Sequence, residues 1–546
     1  MGEFVLDRRL ALTGAAAAGA VLLTGVAARP AAASWNEPET TTGDQAAAET
    51  AAPFLLGVAS GDPLADGVIL WTRLVRDVYD AGSMPSRPIT VAWQVAHDRR
   101  FHRLAAAGVT RALPELAHSV HVDVRGLEPG RDYFYRFRAG GQLSPVGRTR
   151  TAPACSADPQ LLRLGVVNCQ DFQNGYWPTF WGLADEDLDV VFHLGDYIYE
   201  YDPNSRFPDR AHVAPQTPGL DQLSTLADYR NRHAQYKGDP ALRAAHAVAP
   251  WVVTWDDHET ENNYAGFVDE IDDTGAKKQT PEEFRRQRAA AYQAYYEHMP
   301  IRADLRPGSA SMRIYRRFDF GRLARINVLD TRQYRTDQPG GFPGDFGLES
   351  AGRLNTAGTL TGDVQEQWLT RGLTSSPTRW NVIAQQTMMS RTRFPNPTGV
   401  PPTIVDLDQW DGYVPQRTRL LRLLADAHVA NPVVLSGDIH STWFSDLKVD
   451  FDDPASPAVA VEFVSTSISS DFPVAFDAPI KQVNPLLNPH VRYFNGLKHG
   501  YLRCEVTPGT WRTDVRVVDT IDVRDAPVRT DVSFAVQAGT PGLMAL

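Results

Sequence analysis

Cysteine is scarce in this chain, with three residues among 546. An odd number cannot all pair internally, so no disulfide framework defines the fold. Cys155 and Cys504 either bridge one another or lie buried as small apolar side chains. Cys169 is either a thiolate ligand or a buried hydrophobe. The phosphate cradle GxxxxGK[ST] is missing, and so is the nucleophile elbow GxSxG. Neither a P-loop nucleotide site nor an elbow-type serine hydrolase is therefore encoded. Basic residues are not in excess: the net charge of −11 argues against a nucleic-acid scaffold and suits a chain that gathers cations. Internal repeats are absent, and beyond the N-terminal segment no apolar run is long enough to span a membrane.

What is present is an ordinary globular mixture, 43% hydrophobic and 22% charged, in a chain long enough for more than one domain. Residues 1–33 read as an export signal. Arg8-Arg9 precede an Ala/Gly/Leu/Val run, and Ala31-Ala32-Ala33 offers a small-residue cleavage site. Paired arginines before a mildly apolar core resemble a twin-arginine leader, which predicts a secreted protein with no transmembrane anchor after cleavage. Residues 34–52 read as a flexible linker. Over 53–152, alternating runs at 68–73, 89–95 and 120–124 predict a separate fibronectin-like β-sandwich. The stretch from Leu127 to Tyr135 has the pattern of a tyrosine corner, in which a hydroxyl pins a loop to a strand. Over 160–525, apolar runs at 162–167, 190–194, 249–254, 324–329, 380–384, 432–435 and 458–465 alternate with helical stretches at 226–236, 281–298 and 364–373. That alternation predicts an α/β (α+β) catalytic domain. Polar segments 201–222 and 335–362 are expected as long loops near its site. Residues 526–546 are expected as a tail after a late hairpin that begins at Tyr501.

Four predicted strands run out into polar clusters. They are Asn168-Cys169-Gln170-Asp171, Gly195-Asp196-Tyr197-Ile198-Tyr199, Trp255-Asp256-Asp257-His258-Glu259 and Ser436-Gly437-Asp438-Ile439-His440. In open α/β sheets ligands bind beyond the carboxyl ends of strands, so these loops can converge. Sulfur, oxygen and nitrogen donors from four loops suit two cations, one harder and one borderline, and a carboxylate with a phenolate suits Fe(III). A pair of cations clamps a phosphoryl group and activates a hydroxide. Single Asp-His pairs are common structural hydrogen bonds, and acidic loops often are solvated or bind calcium without chemistry. Recurrence at four strand ends favours a site.

The motifs together resemble the PhoD family of secreted alkaline phosphatases and phosphodiesterases, which includes the metal-dependent phospholipase D of streptomycetes. They are Phe54-Leu55-Leu56-Gly57-Val58-Ala59-Ser60-Gly61-Asp62-Pro63 with Leu70-Trp71-Thr72-Arg73-Leu74, the HLGDYIYEY run from His193, Thr254 to Glu259, Gln385-Gln386-Thr387-Met388-Met389, and SGDIHS from Ser436. The resemblance covers nearly all of 54–520. It implies a four-layer α/β/β/α metallophosphoesterase core behind the sandwich, with Fe(III) and Ca2+ as cofactors. By that resemblance Cys169, Asp196, Tyr199 and His440 would hold the iron, Asp196 would bridge to calcium, and Asp257 and Asp438 would complete the calcium ligands. The wider superfamily has Asp, Asn and His where Cys169, Asp257 and Asp438 stand. Those exchanges make one site softer and the other harder. His258, beside Asp257, is the expected catalytic histidine, stabilising the phosphoryl group or protonating the leaving oxygen. Asp171, Asn262, Arg332 and Gln386 are expected around the substrate.

The expected activity is phosphoester hydrolysis by a metal-activated hydroxide. Its substrates would be small-molecule or lipid phosphodiesters, phospholipase D chemistry included, and the enzyme would act as a monomer. A phosphomonoesterase is the alternative among enzymes. A calcium-binding extracellular adhesion protein with a dead site is the alternative outside them.

Overall fold

The apolar runs become the central strands of two large sheets in the computed structural model. The structure describes residues 53–546 apart from 81, 202–203, 214–222, 270–278, 340–345, 397–398 and 400–401. The expected export signal and linker lie outside the described residues, and no helix among these is long and apolar enough to cross a membrane. The larger sheet has ten strands, in the order Thr540–Ala545, Arg529–Gln537, Thr510–Val518, His499–Val506, Leu162–Val167, Val190–His193, Pro250–Val253, Val58–Leu64, Gly67–Arg73 and Ser119–Arg125. The smaller has seven: Arg316–Phe320, Ala324–Val328, Trp380–Ala384, Pro432–Ser436, Ala458–Val464, Thr442–Lys448 and Val491–Asn495.

The central strands of both sheets pair in parallel, an arrangement that needs cover on both faces. Between the sheets, Val166, Phe192, Val252 and Leu502 meet Ile326, Val382, Val433 and Phe463 in one apolar core. On the outer face of the larger sheet, Val191 and Trp251 pack against helices Pro178–Asp185, Leu226–Lys237, Pro240–His246 and Pro281–His298 through Phe180, Tyr229, Leu242 and Tyr292. On the outer face of the smaller, Ile383 and Val434 pack against Gly362–Thr374 and Val414–Asp426 through Leu369, Leu420 and Leu421. The Pro281–His298 helix starts where its sequence dictates. Thr280 and Glu283 form a capping box, and Pro281 sits in the first turn, where no amide donor is needed. The fold is thus mixed α/β.

Three expectations change. The N-terminal sandwich exists, but it is not separate. Its strands Val58–Leu64, Gly67–Arg73 and Ser119–Arg125 complete the ten-stranded sheet, with Ser60 opposite Pro250 and Gly61 opposite Trp251 in parallel register. A five-stranded sheet containing Ile89–Ala96, Leu104–Ala112 and Asp132–Ala139 covers them, enclosing Val68, Leu70, Val122, Val91, Tyr135 and Phe137. Its tyrosine corner is formed, the Glu128 N–H donating to the Tyr133 hydroxyl at 2.9 Å. Residues 526–546 are not a tail: Arg529–Gln537 and Thr540–Ala545 extend the sheet because Phe534 and Val536 reach the inter-sheet core. Cys155 and Cys504 do not pair, since Cys155 is exposed and Cys504 is buried in that core.

Under the Pro250–Val253 strand lies a buried group of basic side chains: His193, His233, His246, His298 and Lys237. Lys237 Nζ lies 3.3 Å from His246 Nε2 and 4.3 Å from the Trp71 ring centre. Burial lowers the affinity of each for a proton, to about 3 for His193 and well below the ordinary value for the others. His121, at the Met299 carbonyl, is lowered by burial to about 4. An unfolded chain protonates these histidines near pH 6.5 whereas the fold keeps them neutral, so stability is complete above that pH and falls as pH drops toward 4. For His193, whose pKa falls to about 3, the loss between pH 6.5 and 4 is on the order of 3 kcal/mol, against a typical total of roughly 5–15 kcal/mol. Guanidinium midpoints measured between pH 7.5 and 4 are expected to fall steeply below pH 6.5. A flat profile would contradict the neutral cluster.

Candidate active site

Each of the four polar clusters begins where a parallel strand ends, and at each the backbone turns sharply. Cys169, Asp196, Asp438 and His440 all have positive φ, between 52° and 67°. Side-chain-bearing residues adopt that region at a cost of roughly 1–3 kcal/mol, and such outliers gather at functional sites. Glycine makes two of the approaches possible. A Cβ on Gly195, with φ of 121°, would meet Asp256 Cβ at 2.4 Å, and one on Gly437 would meet the Asn168 side chain at 2.7 Å. Glu259 ties two loops together by accepting the N–H groups of Asp196, Tyr197 and Asp256 at 3.1, 2.7 and 2.9 Å.

Donors then converge on Asp196. Its Oδ2 accepts from Cys169 Sγ at 3.3 Å and from the Tyr199 hydroxyl at 3.1 Å, and it lies 4.0 Å from His440 Nε2. The Tyr199 hydroxyl also lies 3.2 Å from His440 Nε2 and accepts from Ser470 Oγ at 2.6 Å. The second His440 nitrogen, Nδ1, faces the Asp471 carbonyl at 3.1 Å, which fixes the ring. Burial and nearby carboxylates push the Cys169 thiol and the Tyr199 phenol well above their ordinary pKa values. Burial lowers His440 to about 4, so it stands as a neutral imidazole.

A second group adjoins the first. Ligand atoms of Asp196, Asp256, Asp257 and Asp438 lie within 4.8 Å of one another, as do those of Asp196, Asp257 and His258, and of Cys169, Asp196 and His440. Burial, followed by repulsion from Asp257, raises Asp196 well above the carboxylate range, and burial raises Asp256 and Asp438 as well. Burial also pushes Asp257 up, but Arg332, His258 and the Asn263 N–H together hold it below that range. Asp196 Oδ1 and Asp256 Oδ2 are buried without a hydrogen-bond partner, and Asp257 Oδ1 has Arg332 Nη2 at 3.6 Å, beyond hydrogen-bond reach. Buried unpaired carboxylate oxygens are costly, and a cation at the cluster relieves the cost. The donor set therefore fits metal ions: thiolate, phenolate and imidazole on one side of Asp196, hard carboxylate oxygens on the other.

His258 stands at the junction. Its Nδ1 is 2.8 Å from Glu200 Oε2, and Glu200 Oε1 accepts the Asn262 N–H at 2.7 Å. Burial alone would discharge the ring, yet Glu200, Asp257 and Asp196 raise its pKa well above 6.5. An imidazolium anchored at Nδ1 has Nε2 left to donate.

A cavity of about 460 Å³ opens onto these groups. Asp196, Asp257, His258, Asn262, Asp438 and His440 form its polar floor. Phe346, Phe394, Ile404, Phe472, Phe476 and Ile480 form an apolar wall. The wall made by the described residues does not include Asp171, Arg332 or Gln386. Asp171 is buried behind the site, where its carboxylate accepts the Gln173 N–H at 3.0 Å. Gln386 cross-links strand ends, donating to Thr254 Oγ1, the Trp255 carbonyl and the Leu329 carbonyl. Arg332 is fully buried and pairs with Asp256, with Asp408 at 2.7 Å and with Asp438 at 3.1 Å, which balances charge beneath the site. Sequence reasoning gave no role of their own to Glu200, Asp256, Glu259 and Asp408. Glu200 was legible, because it directly follows Tyr199, and so were Asp256 and Glu259, which flank Asp257-His258. The apolar wall left no periodic signal.

A mixed α/β frame whose strand ends bring carboxylates and imidazoles to one cavity, with a thiol and a phenol buried against Asp196 behind them, fits a phosphoric ester hydrolase. The family model described as PhoD-like phosphatase matches residues 164–515, and that of the PhoD-like phosphatase N-terminal domain matches 39–153. The chain belongs to the PhoD-like phosphatase family. It is 46% identical over 496 residues to alkaline phosphatase D of Bacillus subtilis (strain 168), covering 90% of this chain and 82% of that one. A solved structure titled "Structure of PhoD" superposes with a TM-score of 0.84 at 44% identity, covering 91% of this chain and 92% of the other.

Proposed function

We propose that the protein is an exported phosphodiesterase that holds Fe(III) at Cys169, Asp196, Tyr199 and His440. Asp257 and Asp438 would hold calcium, and Asp196, which belongs to both groups of donors, would serve both cations. The observation that carries this reading is the convergence of the Cys169 thiol and the Tyr199 phenol on one buried carboxylate oxygen. Export rests on the paired arginines and cleavage motif of the first 33 residues.

When bound, such cations supply Lewis acidity toward a phosphoryl oxygen and activate a water for in-line attack. The chain's own residues do the rest. Glu200 fixes His258 so that Nε2 donates a proton to the leaving oxygen, and no covalent adduct with the protein forms. Asp257, pinned by the Asn263 N–H at 2.7 Å, helps keep that imidazole charged. Asn262 presents an amide at the cavity floor for the nonbridging oxygens. Diesters are preferred because the apolar wall offers a surface for the ester substituent that stays on the phosphate after the leaving group departs, which a monoester lacks; a phospholipid headgroup bond, phospholipase D chemistry, is one such diester. Monoester hydrolysis is the second reading, favoured by the name of the Bacillus relative, alkaline phosphatase D.

Elemental analysis beside turnover of matched aryl monoester and diester substrates tests both parts. Charge transfer from phenolate and thiolate to Fe(III) is expected to colour concentrated protein. Tyr199→Phe should remove the phenolate component, Cys169→Ser should change what remains, and a mild reductant should bleach colour and activity together. Calcium or zinc alone gives no such band. A colourless, iron-free, fully active preparation would refute the iron assignment.

A further inference from the structure

The helix Val474–Leu487 buries Asp477, Ile480 and Asn484, while Val474, Phe476 and Leu486 are exposed by 73%, 41% and 83%. The polar contacts explain how the helix is held in that attitude. Asp477 accepts the Gly496 N–H at 2.9 Å. Asn488, just past the helix, exchanges two hydrogen bonds with the Arg393 backbone, each 2.9 Å. Turning polar groups inward leaves Val474, Ala475, Phe476, Ala478, Pro479, Pro485 and Leu486 facing out. The helix has two charged residues, and they neutralise each other: Lys481 Nζ lies 2.8 Å from Asp477.

Exposed apolar surface of this extent marks a contact face, and its position narrows the occupant. Phe476 belongs both to the exposed face and to the wall of the catalytic cavity, beside Pro473 and Ile480. Phe346, in the wall of the same cavity, and the neighbouring Leu348 are exposed as well. A folded protein partner seated here would stop the cavity. It would also find few groups to bond, because Lys481 and Gln482 are the exposed polar side chains along the helix, whereas protein interfaces carry about one hydrogen bond per 100–200 Å². A lipid surface needs only an apolar face lying at the headgroup boundary, and it would present its phosphoesters to the open cavity.

We propose that Val474–Leu487, with Phe346 and Leu348, is an interfacial docking face that seats the enzyme on an electrically neutral phospholipid surface with its cavity toward the lipid. The binding claim stands on the surface alone; the delivery of a lipid phosphodiester to the metals rests on the hydrolase reading above. Docking of this kind is apolar and hence insensitive to salt, unlike capture by charge, which about 1 M salt screens within roughly 3 Å.

The test is sedimentation of the intact chain with sucrose-loaded phosphatidylcholine vesicles, at low salt and at about 1 M salt. Turnover of soluble bis(p-nitrophenyl) phosphate is measured in parallel. Wild type is expected to sediment equally at both salts. Val474→Glu/Leu486→Glu, at positions outside the cavity, is expected to lose at least tenfold in partitioning with soluble turnover unchanged, and the milder Val474→Ser/Leu486→Ser pair to lose less. Undiminished partitioning of both double variants overturns the proposal, as does wild-type binding abolished by salt. So does sedimentation-velocity evidence that the face joins two copies of the chain in the absence of vesicles. Absent turnover on every ester with vesicle binding intact would strike the hydrolase reading and leave the docking face standing.

Discussion

Asp196→Asn is expected to lower turnover by about 10³-fold or more, roughly 4 kcal/mol of transition-state stabilisation, while the protein stays folded. Asp196 is the one carboxylate common to all three groups of metal-ligating atoms. Its Oδ2 receives both the Cys169 and Tyr199 donors, and its Oδ1 has no partner. Asparagine keeps the shape but removes the charge. In one orientation it also aims an N–H₂ at groups that already donate. Burial and neighbouring carboxylates destabilise the Asp196 anion, so the chelated variant is expected to melt no lower than chelated wild type. Asp438→Asn, at the edge of the cluster, should be milder and partly rescued by high calcium. Turnover of Asp196→Asn within tenfold of wild type, with metal content unchanged, would remove Asp196 from the centre of the site.

His258→Ala is expected to lose roughly 10²–10⁴ in rate with both metals retained. The loss should be greater on esters of poor leaving groups than on nitrophenyl esters, because nitrophenolate leaves without a proton. Glu200→Gln should reproduce the same trend at smaller amplitude, since it loosens the 2.8 Å contact that orients the ring without removing the ring. Equal losses on both leaving groups would assign His258 to phosphoryl stabilisation instead. Full activity in the alanine variant would make it structural.

Sequence pattern read well where one local force decides the outcome. The strands Leu162–Val167 and Trp380–Ala384 and the helix Pro281–His298 match their expected limits. The first two are short apolar runs that only a buried parallel position satisfies, and the third has its own cap. The helices Pro178–Asp185, Pro240–His246, Val414–Asp426 and Val474–Leu487 escaped notice. The first two are short, Val414–Asp426 starts without a side-chain cap, and Val474–Leu487 buries Asp477 and Asn484 beside Ile480 while exposing Val474 and Leu486, so its apolar spacing does not mark the core. Pairing between distant segments was not legible. Nothing local to Ser60 or Gly61 encodes Pro250 and Trp251 as neighbours. The four polar clusters were visible because each interrupts an apolar run at once. The cavity wall was not, because Phe346, Phe394, Ile404 and Phe476 come from separate short elements that only the tertiary fold gathers. Arg332 and Gln386 were singled out by chemistry, but burial gives them supporting places beneath the site.

The join between the N-terminal sandwich and the rest of the chain is a β-ladder, and that governs how the molecule can be assembled. During vectorial synthesis Val58–Leu64 emerges long before Pro250–Val253, so its parallel partner does not exist when it first needs one. The sandwich's own strands can pair at once, but the open edge of Val58–Leu64 must wait until the middle of the chain arrives. Cutting the sandwich away bares the edge of Pro250–Val253, an all-apolar strand that leads directly into Asp256, Asp257 and His258, and opens it to any other unpaired edge.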